Sequence, residues 1–214
     1  MDKTIKHIDW GVLDYMSAWQ RQESLMEQLK IDPAQPNYLI MVEHPHVYTI
    51  GKNGDQANLL RLPPDVELIK VNRGGDITYH GFGQVVVYPV FRLEAFGMDI
   101  RKYIFSLEEV VIRTISRYGV TGSRIEKARG VWLEPDTPAA RKICAIGVRC
   151  SHFITMHGFA LNANTDLSYF NNINPCGFVD KGVTSLAVET GRQIDIPSLK
   201  QIILEEFENI FLNR

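Results

Sequence analysis

Arg73-Gly-Gly-Asp-Ile-Thr-Tyr-His-Gly-Phe-Gly-Gln84 contains four glycines in twelve residues and runs directly into the apolar segment Val85-Val-Val-Tyr-Pro-Val90. Glycine allows positive φ and close approach of the backbone to a ligand, at an entropic cost on folding. A glycine cluster just before a buried strand therefore indicates a ligand-contacting loop. A Gly-rich hairpin with scattered polar residues is the alternative, and composition alone does not choose between them.

The composition of the 214-residue chain is typical of a folded domain, with 45% hydrophobic and 22% charged residues. The net charge of −2 argues against general nucleic-acid binding. No apolar run approaches the ~20 residues needed to span a bilayer, and the first residues lack the apolar core of a signal peptide. We expect one cytoplasmic, monomeric domain over residues 1–214, with no nucleic-acid or membrane partner.

The apolar periodicity predicts helices that are segregated from an antiparallel sheet, with most of the strands in the second half of the chain. Helices are expected at 12–30, 100–118, 184–190 and from 197 to the end of the chain. Strands are expected at 38–42, 46–50, 66–71, 85–90, 130–133, 142–150 and 153–161, with a loop at 162–179. Short gaps between consecutive strands imply antiparallel pairing. The fold class is therefore α+β, a single domain with a mixed, largely antiparallel sheet flanked by helices.

The three cysteines, Cys144, Cys150 and Cys176, fit neither a disulfide framework nor a CxxC zinc site. Cys144 and Cys150 lie inside a strand pattern, where a buried and inert thiol is expected. Cys176 lies instead in a polar loop between Pro175 and Gly177. A free thiol has a pKa of ~8.5 and is mostly protonated at neutral pH, so a nucleophilic Cys176 needs a nearby cation or base.

The possible partners of Cys176 are Lys142, His157, His80 and His152. Lys142 opens a strand whose pattern is otherwise apolar, whereas mid-sheet lysines usually lie at an edge or in solvent. Spacing does not choose among the four. A solvated strand end for Lys142 and an exposed loop thiol for Cys176 both stay open at this point.

His44 and His46 flank Pro45 and would share one face of an extended chain. A metal site needs three or four converging ligands, and no nearby Cys, Asp or Glu completes a set. We expect no metal and no cofactor.

Four stretches together resemble the octanoyltransferases, the lipoyl(octanoyl) transferases of protein lipoylation. They are Arg73–Gln84, Lys142-Ile-Cys-Ala-Ile-Gly147, Thr155-Met-His-Gly-Phe-Ala-Leu-Asn162, and Asn174-Pro-Cys-Gly177 with Gly182-Val-Thr-Ser-Leu186. Each is weak alone, but all four in this order are specific. The resemblance implies a fold similar to the catalytic modules of lipoate and biotin protein ligases.

The resemblance also implies roles for particular residues. Cys176 matches the nucleophile of the family, and Lys142 matches its activating lysine. The acyl-binding positions match Arg73, Gly74, Gly75, Asp76, Ile77, Thr78, Tyr79, His80, Ala145, Ile146, Gly147, Gly158, Phe159 and Ala160. The chain departs from the family at Phe82, where proline is usual, and at Cys144, which is often alanine.

The implied reaction moves an octanoyl or lipoyl group from acyl carrier protein to one lysine of a lipoyl domain. The acceptors would be the E2 subunits of 2-oxoacid dehydrogenases and the glycine-cleavage H protein. Cys176 would carry the group as a thioester, which gives ping-pong kinetics without ATP. Lys142 could act as an ammonium beside the thiolate or as an amine that accepts a proton, and the sequence leaves both roles open.

Between Arg124 and Arg149 the chain has six basic and three acidic residues. This excess could steer an acidic carrier protein, or it could be an ordinary mixed surface. An ATP-dependent lipoate protein ligase and a non-catalytic acyl-binding module remain as rival functions. The thiol of the Asn174–Gly177 segment favours the transferase over both.

Overall fold

A large sheet and a small sheet, joined through the Gly-rich segment, form the framework of the computed structural model, which describes residues 3–126, 128–174 and 181–213. The strands are β1 (Ile5–Val12), β2 (Asn37–Glu43), β3 (Val47–Ile50), β4 (Glu67–Lys70), β5 (Ile77–His80), β6 (Gln84–Val90), β7 (Ser123–Ile125), β8 (Ala128–Leu133), β9 (Arg141–Ser151), β10 (Ile154–Asn162) and β11 (Gly182–Val183). The helices are α1 (Tyr15–Ile31), α2 (Ile100–Ser116), α3 (Leu186–Thr190) and α4 (Ile196–Phe211).

The large sheet has the strand order β1-β2-β6-β10-β9-β8-β7, and β11 pairs with β9 at the side of this path. The pairs β1–β2 and β11–β9 are parallel, and the other pairs of this sheet are antiparallel. The small sheet has the order β4-β3-β5, with one parallel and one antiparallel pair. The predicted α+β class with a mixed, largely antiparallel sheet is confirmed.

Strand β6 explains why the run after the Gly-rich segment is apolar throughout. Its side chains alternate between faces, and helices cover both of them. Val85 and Val87 belong to the core beneath α2 and α4. Val86 and Tyr88 belong to a second core beneath α1. Because both faces are buried, no polar alternation remains in the sequence of this strand.

The helices begin where the sequence provides a side-chain cap. The Asp99 carboxylate accepts a hydrogen bond from the Lys102 backbone N–H at 2.7 Å, which starts α2 as predicted. Asp14 caps α1 in the same way through the Ser17 N–H at 2.8 Å. The predicted start of this helix at Val12 is therefore wrong, because Val12 ends β1.

The structure contains elements that the sequence pattern did not predict. β1 is a half-exposed edge strand, and its apolar and polar residues do not alternate regularly enough to predict a strand. Ile77–His80, taken from the sequence as part of a loop, is strand β5 and is buried. The predicted loop 162–179 begins with Asn162, the last residue of β10, and includes a 3₁₀ helix at Leu167–Asn172. No helix in the described part of the chain combines the length and apolar character needed to cross a membrane.

The turn between β5 and β6 fixes how the two sheets meet. Gly83 has φ +78°, and a Cβ at this position would approach the carbonyl of Asn164 to 2.6 Å. Its N–H donates to the Glu43 carboxylate at 2.8 Å. Phe82, the departure from the family pattern, is 47% exposed on this turn and lies edge-on to His46 at 5.2 Å. The phenylalanine therefore points to the surface of the turn.

Candidate active site

A cavity lies where β5, β6, β9 and β10 come together, with Tyr15 of α1 also on its wall. Most of the residues that the sequence resemblance selected line it. Those residues are Arg73, Gly75, Asp76, Thr78, His80, Lys142, Ala145, Ile146, Gly147, Gly158, Phe159 and Ala160. The fold therefore brings together three stretches that are far apart in the sequence.

Three of the selected residues do not line the cavity. Ile77 and Tyr79 alternate with Thr78 and His80 along β5 and pack into a separate apolar core. Tyr79, predicted to line an acyl tunnel, stacks instead on Tyr169 with a centroid distance of 4.8 Å. The third, Gly74, lies in an adjoining groove.

A buried chain of hydrogen bonds supports the Gly-rich side of the cavity. Arg73 Nη2 donates to both the carbonyl and the Oγ1 of Thr49 at 2.8 Å, and its Nη1 donates to the Gly74 carbonyl at 3.0 Å. The Thr49 hydroxyl lies 3.3 Å from His80 Nε2. His80 Nδ1 lies 2.8 Å from Gln84 Oε1, which fixes the proton on Nδ1.

The chain of hydrogen bonds continues through Gln84 to the strand that carries Lys142. Gln84 Nε2 donates to Asn162 Oδ1 at 2.9 Å, and Asn162 Nδ2 donates to the Thr184 carbonyl at 3.0 Å. The Thr184 N–H donates in turn to the carbonyl of Lys142 at 2.9 Å. Since every link is a specific pairing of donor and acceptor, this network fixes the relative positions of the two sides.

The histidines of the cavity are neutral at physiological pH. Burial holds the pKa of His80 well below its ordinary value, with a further contribution from the nearby His44. Burial lowers the pKa of His157 to about 3. His157 Nε2 donates to Asn72 Oδ1 at 2.8 Å, and its Nδ1 has no partner among the described residues. Neither ring can supply the positive charge that stabilises a thiolate.

Lys142 lines this cavity from β9. Its side chain is 6% exposed, in contrast to the solvated strand end that the sequence allowed. Nζ lies 4.6 Å from the centroid of the Trp132 ring. His152, the remaining candidate partner for a thiol, lies in the exposed turn between β9 and β10.

Cys176, the predicted nucleophile, lies outside the described residues. The described residues on either side of 175–180 border one groove next to the cavity, among them Asn174 and Val183. Val183 also lines the cavity itself and pairs with Lys142 in the parallel pair β11–β9.

Further residues of the cavity wall were not selected from the sequence, among them Tyr15, Tyr88 and Asn162. Tyr15 comes from a helix interpreted as core, and burial raises the pKa of this tyrosine to about 12. Burial also raises the pKa of Tyr88, so both phenols stay protonated. Asn162 was the last residue of one of the four resembling stretches, and this was the available signal for it.

The other two thiols differ from each other. Cys144 is fully buried, and burial raises the pKa of its thiol, as expected for an inert residue. Cys150 is exposed, so the expectation of a buried thiol at that position is wrong. It lies towards the end of β9, next to the turn that leads into β10.

Two of the arginines between Arg124 and Arg149 are paired with carboxylates of the helices. Arg124 pairs with Glu108 at 3.1 Å, and Arg141 pairs with Glu189 at 2.7 Å. Lys142 is buried. The carboxylates of α2 and α3 thus offset the charges of Arg124 and Arg141.

His44 and His46 have separate packing roles. His44 Nδ1 donates to the Leu13 carbonyl at 2.6 Å, and its Nε2 accepts from the Tyr88 hydroxyl at 2.8 Å. His46 stacks on Tyr169 with a centroid distance of 4.4 Å. Among the described residues, no group of three or more potential ligands is arranged to hold a metal ion.

The fold and cavity together define an α+β catalytic module with a buried lysine beside an apolar binding space. The family of the lipoyl protein ligase A/B catalytic domain matches residues 14–208, and the chain belongs to this family. It is 51% identical to an octanoyltransferase of Bacteroides thetaiotaomicron, over 91% of this chain and 89% of that protein. It is 50% identical to an octanoyltransferase of Flavobacterium psychrophilum, over 99% and 98% of the two chains.

The fold is also similar to that of solved ligases. The bi-partite lipoate protein ligase of Thermoplasma acidophilum, studied with its E2 lipoyl domain, matches with a TM-score of 0.67 at 14% identity. The match covers 98% of this chain and 84% of that one. At this identity the similarity concerns the fold alone.

Proposed function

We propose that the protein is an octanoyltransferase that moves an octanoyl or lipoyl group from acyl carrier protein to one lysine of a lipoyl domain. It acts as a cytoplasmic monomer and uses neither metal nor cofactor. The acceptors are E2 subunits of 2-oxoacid dehydrogenases and the glycine-cleavage H protein. The observation that carries the proposal is the buried Lys142 at the cavity, in a chain that is about half identical to octanoyltransferases along almost its whole length.

The cavity wall has the chemistry that an acyl chain requires. Val86, Ile146, Phe159 and Ala160 supply apolar surface. Each buried methylene of the chain contributes about 0.8 kcal/mol to binding. Gly158 keeps β10 close to β6, because a Cβ there would approach the Val87 carbonyl to 2.2 Å. A larger residue at Gly158 would push the wall apart and change the shape of the acyl site.

Cys176 and Lys142 carry the two chemical steps. The Cys176 thiolate attacks the carbonyl carbon of the donor thioester, a new carbon–sulfur bond forms, and the sulfur of the carrier protein leaves with the negative charge. The neutral amine of the acceptor lysine then attacks the acyl-enzyme carbonyl, and the carbon–sulfur bond to Cys176 breaks. The amine loses one proton, which the departing Cys176 sulfur takes up, so the products are the amide and the free thiol. Thioester exchange is close to balanced in energy, so ATP is not needed.

Two rival functions are less well supported. A ligase would activate the free acid with ATP, and the ligase structures share only the fold with this chain at 14% identity. In a simple acyl-binding module, a charged lysine in the apolar site would weaken binding, because burying the charge costs free energy. Lys142 and Cys176 would be dispensable in such a module.

The test compares two sets of substrates with the same purified enzyme and a lipoyl domain. We expect octanoylation of the lipoyl domain from octanoyl-acyl carrier protein without nucleotide, measured by intact mass. Octanoate with ATP and magnesium should give no product. Product only in the second reaction would establish a ligase, and no product in either would leave an acyl-binding module.

A further inference from the structure

The imidazole of His157 presents a hydrogen-bond acceptor that no described residue uses. In the described part of the chain, three buried side-chain polar atoms have no partner, namely Thr114 Oγ1, Thr165 Oγ1 and His157 Nδ1. Of these three residues, only His157 lines the cavity, and it is 1% exposed. Buried polar groups are almost always hydrogen-bonded in native proteins. An unpaired acceptor in the wall of a binding cavity therefore indicates a partner that a ligand supplies.

The hydrogen bonds around the ring determine that Nδ1 is an acceptor. Asn72 Nδ2 donates to the Glu23 carboxylate at 3.4 Å, so Asn72 turns its Oδ1 towards the ring. His157 Nε2 donates to this oxygen at 2.8 Å and carries the single proton of the neutral imidazole. The neighbouring Tyr88 ring lies 6.3 Å away, and its hydroxyl donates to His44 instead. The lone pair of Nδ1 is thus left for a donor from outside these groups.

The backbone of β10 takes an unfavourable conformation that brings this ring to the cavity. Alternation along β10 puts Met156 and Ala160 in the core beneath α1, so His157 would be expected on the opposite face. His157 instead has φ +58°, and its ring lies 6.2 Å from that of Trp19 on α1. Its N–H donates to Gln22 Oε1 of the same helix at 2.8 Å. The left-handed region is costly for a residue with a Cβ, and such strain is concentrated at ligand sites.

The cavity extends from Lys142 at one end to His157 at the other. On β9, the residue opposite His157 is Val148, which follows Lys142 by six residues. At ~3.4 Å per residue, the two levels lie about 20 Å apart along the sheet. Ile146 and Phe159 supply apolar wall between them. An extended octanoyl chain is shorter than this distance, so only a longer chain reaches His157 from the Lys142 end.

We infer that the cavity also accepts acyl groups longer than octanoyl that carry a hydroxyl at the far end, with His157 Nδ1 accepting the hydrogen bond from that hydroxyl. This inference rests on the proposed function, which makes the cavity an acyl site with the carbonyl end near Lys142. An apolar chain end leaves Nδ1 buried without a partner, whereas a hydroxyl satisfies it. An entirely apolar site would have the opposite preference, because burying an unpaired hydroxyl costs free energy.

Calorimetric titration of the intact protein with pairs of free acids tests this preference. The members of each pair have equal numbers of non-hydrogen atoms, from octanoate and 7-hydroxyheptanoate to tetradecanoate and 13-hydroxytridecanoate. We expect the alkyl acid to bind more tightly in the shortest pair. Once the chain reaches His157, the hydroxylated acid should bind about 2- to 10-fold more tightly than its alkyl counterpart. An acid that ends in a methyl ether cannot donate a hydrogen bond and should show no such gain.

Three variants assign the effect to the ring nitrogen. In His157→Leu, which lacks the acceptor, the alkyl acid should bind more tightly at every length. His157→Asn keeps an acceptor oxygen close to the position of Nδ1 and tolerates the left-handed backbone, so it should retain part of the hydroxyl preference. Thr165→Val removes an unpaired buried hydroxyl outside the cavity and should leave the preference as in the wild type.

A spectroscopic measurement on the wild type covers the case in which His157→Leu does not fold. The ¹⁵N resonance of His157 Nδ1 should shift when the long hydroxylated acid binds and should not shift with the alkyl acid. An unchanged resonance would overturn the inference. So would a hydroxylated acid that does not bind, an alkyl acid that binds more tightly at every length in the wild type, or a hydroxyl preference that persists in His157→Leu.

Failure of the proposed function is seen in a separate reaction. The wild type would then transfer no octanoyl group from octanoyl-acyl carrier protein to a lipoyl domain, whereas the comparison of the free acids needs no transfer. Octanoyl transfer by a wild type that prefers the alkyl acid at every length would refute the inference alone.

Discussion

The two sides of the cavity present their polar groups in opposite ways. On the Gly-rich side, Arg73, His80 and Gln84 are joined to one another and to the backbone by successive hydrogen bonds. On the β9 side, the Lys142 ammonium lies over the Trp132 ring. A group whose hydrogen bonds all go to protein is fixed and contributes to stability. The first side is therefore a scaffold, and we propose that the second carries the chemistry.

We expect the largest effect on octanoyl transfer from a substitution that removes Lys142 from the β9 side of the cavity. We expect Lys142→Met to reduce octanoyl transfer roughly 10²- to 10⁴-fold, the range for loss of a positioned proton-transfer or charge-stabilising group. Steady-state transfer rates measure this effect, and urea unfolding establishes that the variant is folded. Transfer within tenfold of wild type would exclude a chemical role for Lys142.

The scaffold side should show the reverse pattern, with stability affected most. Arg73→Ala leaves the Thr49 carbonyl and the Gly74 carbonyl without their buried donor. Each unsatisfied buried group costs about 1–3 kcal/mol, so the free energy of unfolding should fall by at least that amount. Arg113→Ala is the matched control, because its ion pair with Glu109 on α2 is half-exposed and is worth at most about 1 kcal/mol. Equal losses in urea unfolding for the two variants would contradict the distinction between the two sides.

The buried histidines make stability depend on pH. Burial lowers the pKa of His44 to about 4 in the folded protein, below its unfolded value of about 6.5. The unfolded state therefore binds the proton first as pH falls. The stabilisation is complete above about pH 6.5 and declines by up to about 1.4 kcal/mol per pH unit down to the folded pKa.

His44→Gln tests this relation by removing one titrating ring. The slope of the unfolding free energy between pH 6 and 4.5 should decrease by close to one proton equivalent, roughly 1.4 kcal/mol per unit. His152→Gln, at an exposed turn, is the control for the loss of a histidine elsewhere in the protein. An unaltered slope in His44→Gln would show that this ring is already protonated in the folded state.

The smallest effect is expected at Phe82, which belongs to neither side of the cavity. Its ring is 47% exposed and contacts His46 edge-on. Phe82→Ala should change the unfolding free energy by only about 0.5 kcal/mol, as for other surface substitutions, and should leave octanoyl transfer at the wild-type rate. A loss of transfer greater than about threefold would mean that this departure from the family reshapes the acyl site.

The sequence predicted the scaffold of the site better than its detailed geometry. The stretch Arg73–His80 was predicted to contact a ligand, and Thr78 and His80 line the cavity. Tyr79 was assigned to the same wall because no strand was predicted there. Once Ile77–His80 is seen as β5, alternation of side chains puts Tyr79 on the opposite face.

The missing parts of the prediction depend on contacts between distant segments. Nothing in the local pattern indicates that the edge strand β1 pairs with β2, or that Tyr15 reaches the cavity from α1. The pairing of Trp132 with Lys142 depends on a single shift of register in β8. The alternation of residues along a strand predicts which side chains share a face of the sheet, but it does not predict a shift of register.

The most direct test of the central claim is the intact mass of the enzyme after brief incubation with octanoyl-acyl carrier protein, for wild type, Cys176→Ala and Lys142→Met. We predict a gain of one octanoyl group in the wild type, labile to hydroxylamine, none in Cys176→Ala and much slower formation in Lys142→Met. A folded wild-type enzyme that transfers octanoate to the lipoyl domain without ever forming this adduct would contradict the claim. So would an adduct that persists in Cys176→Ala.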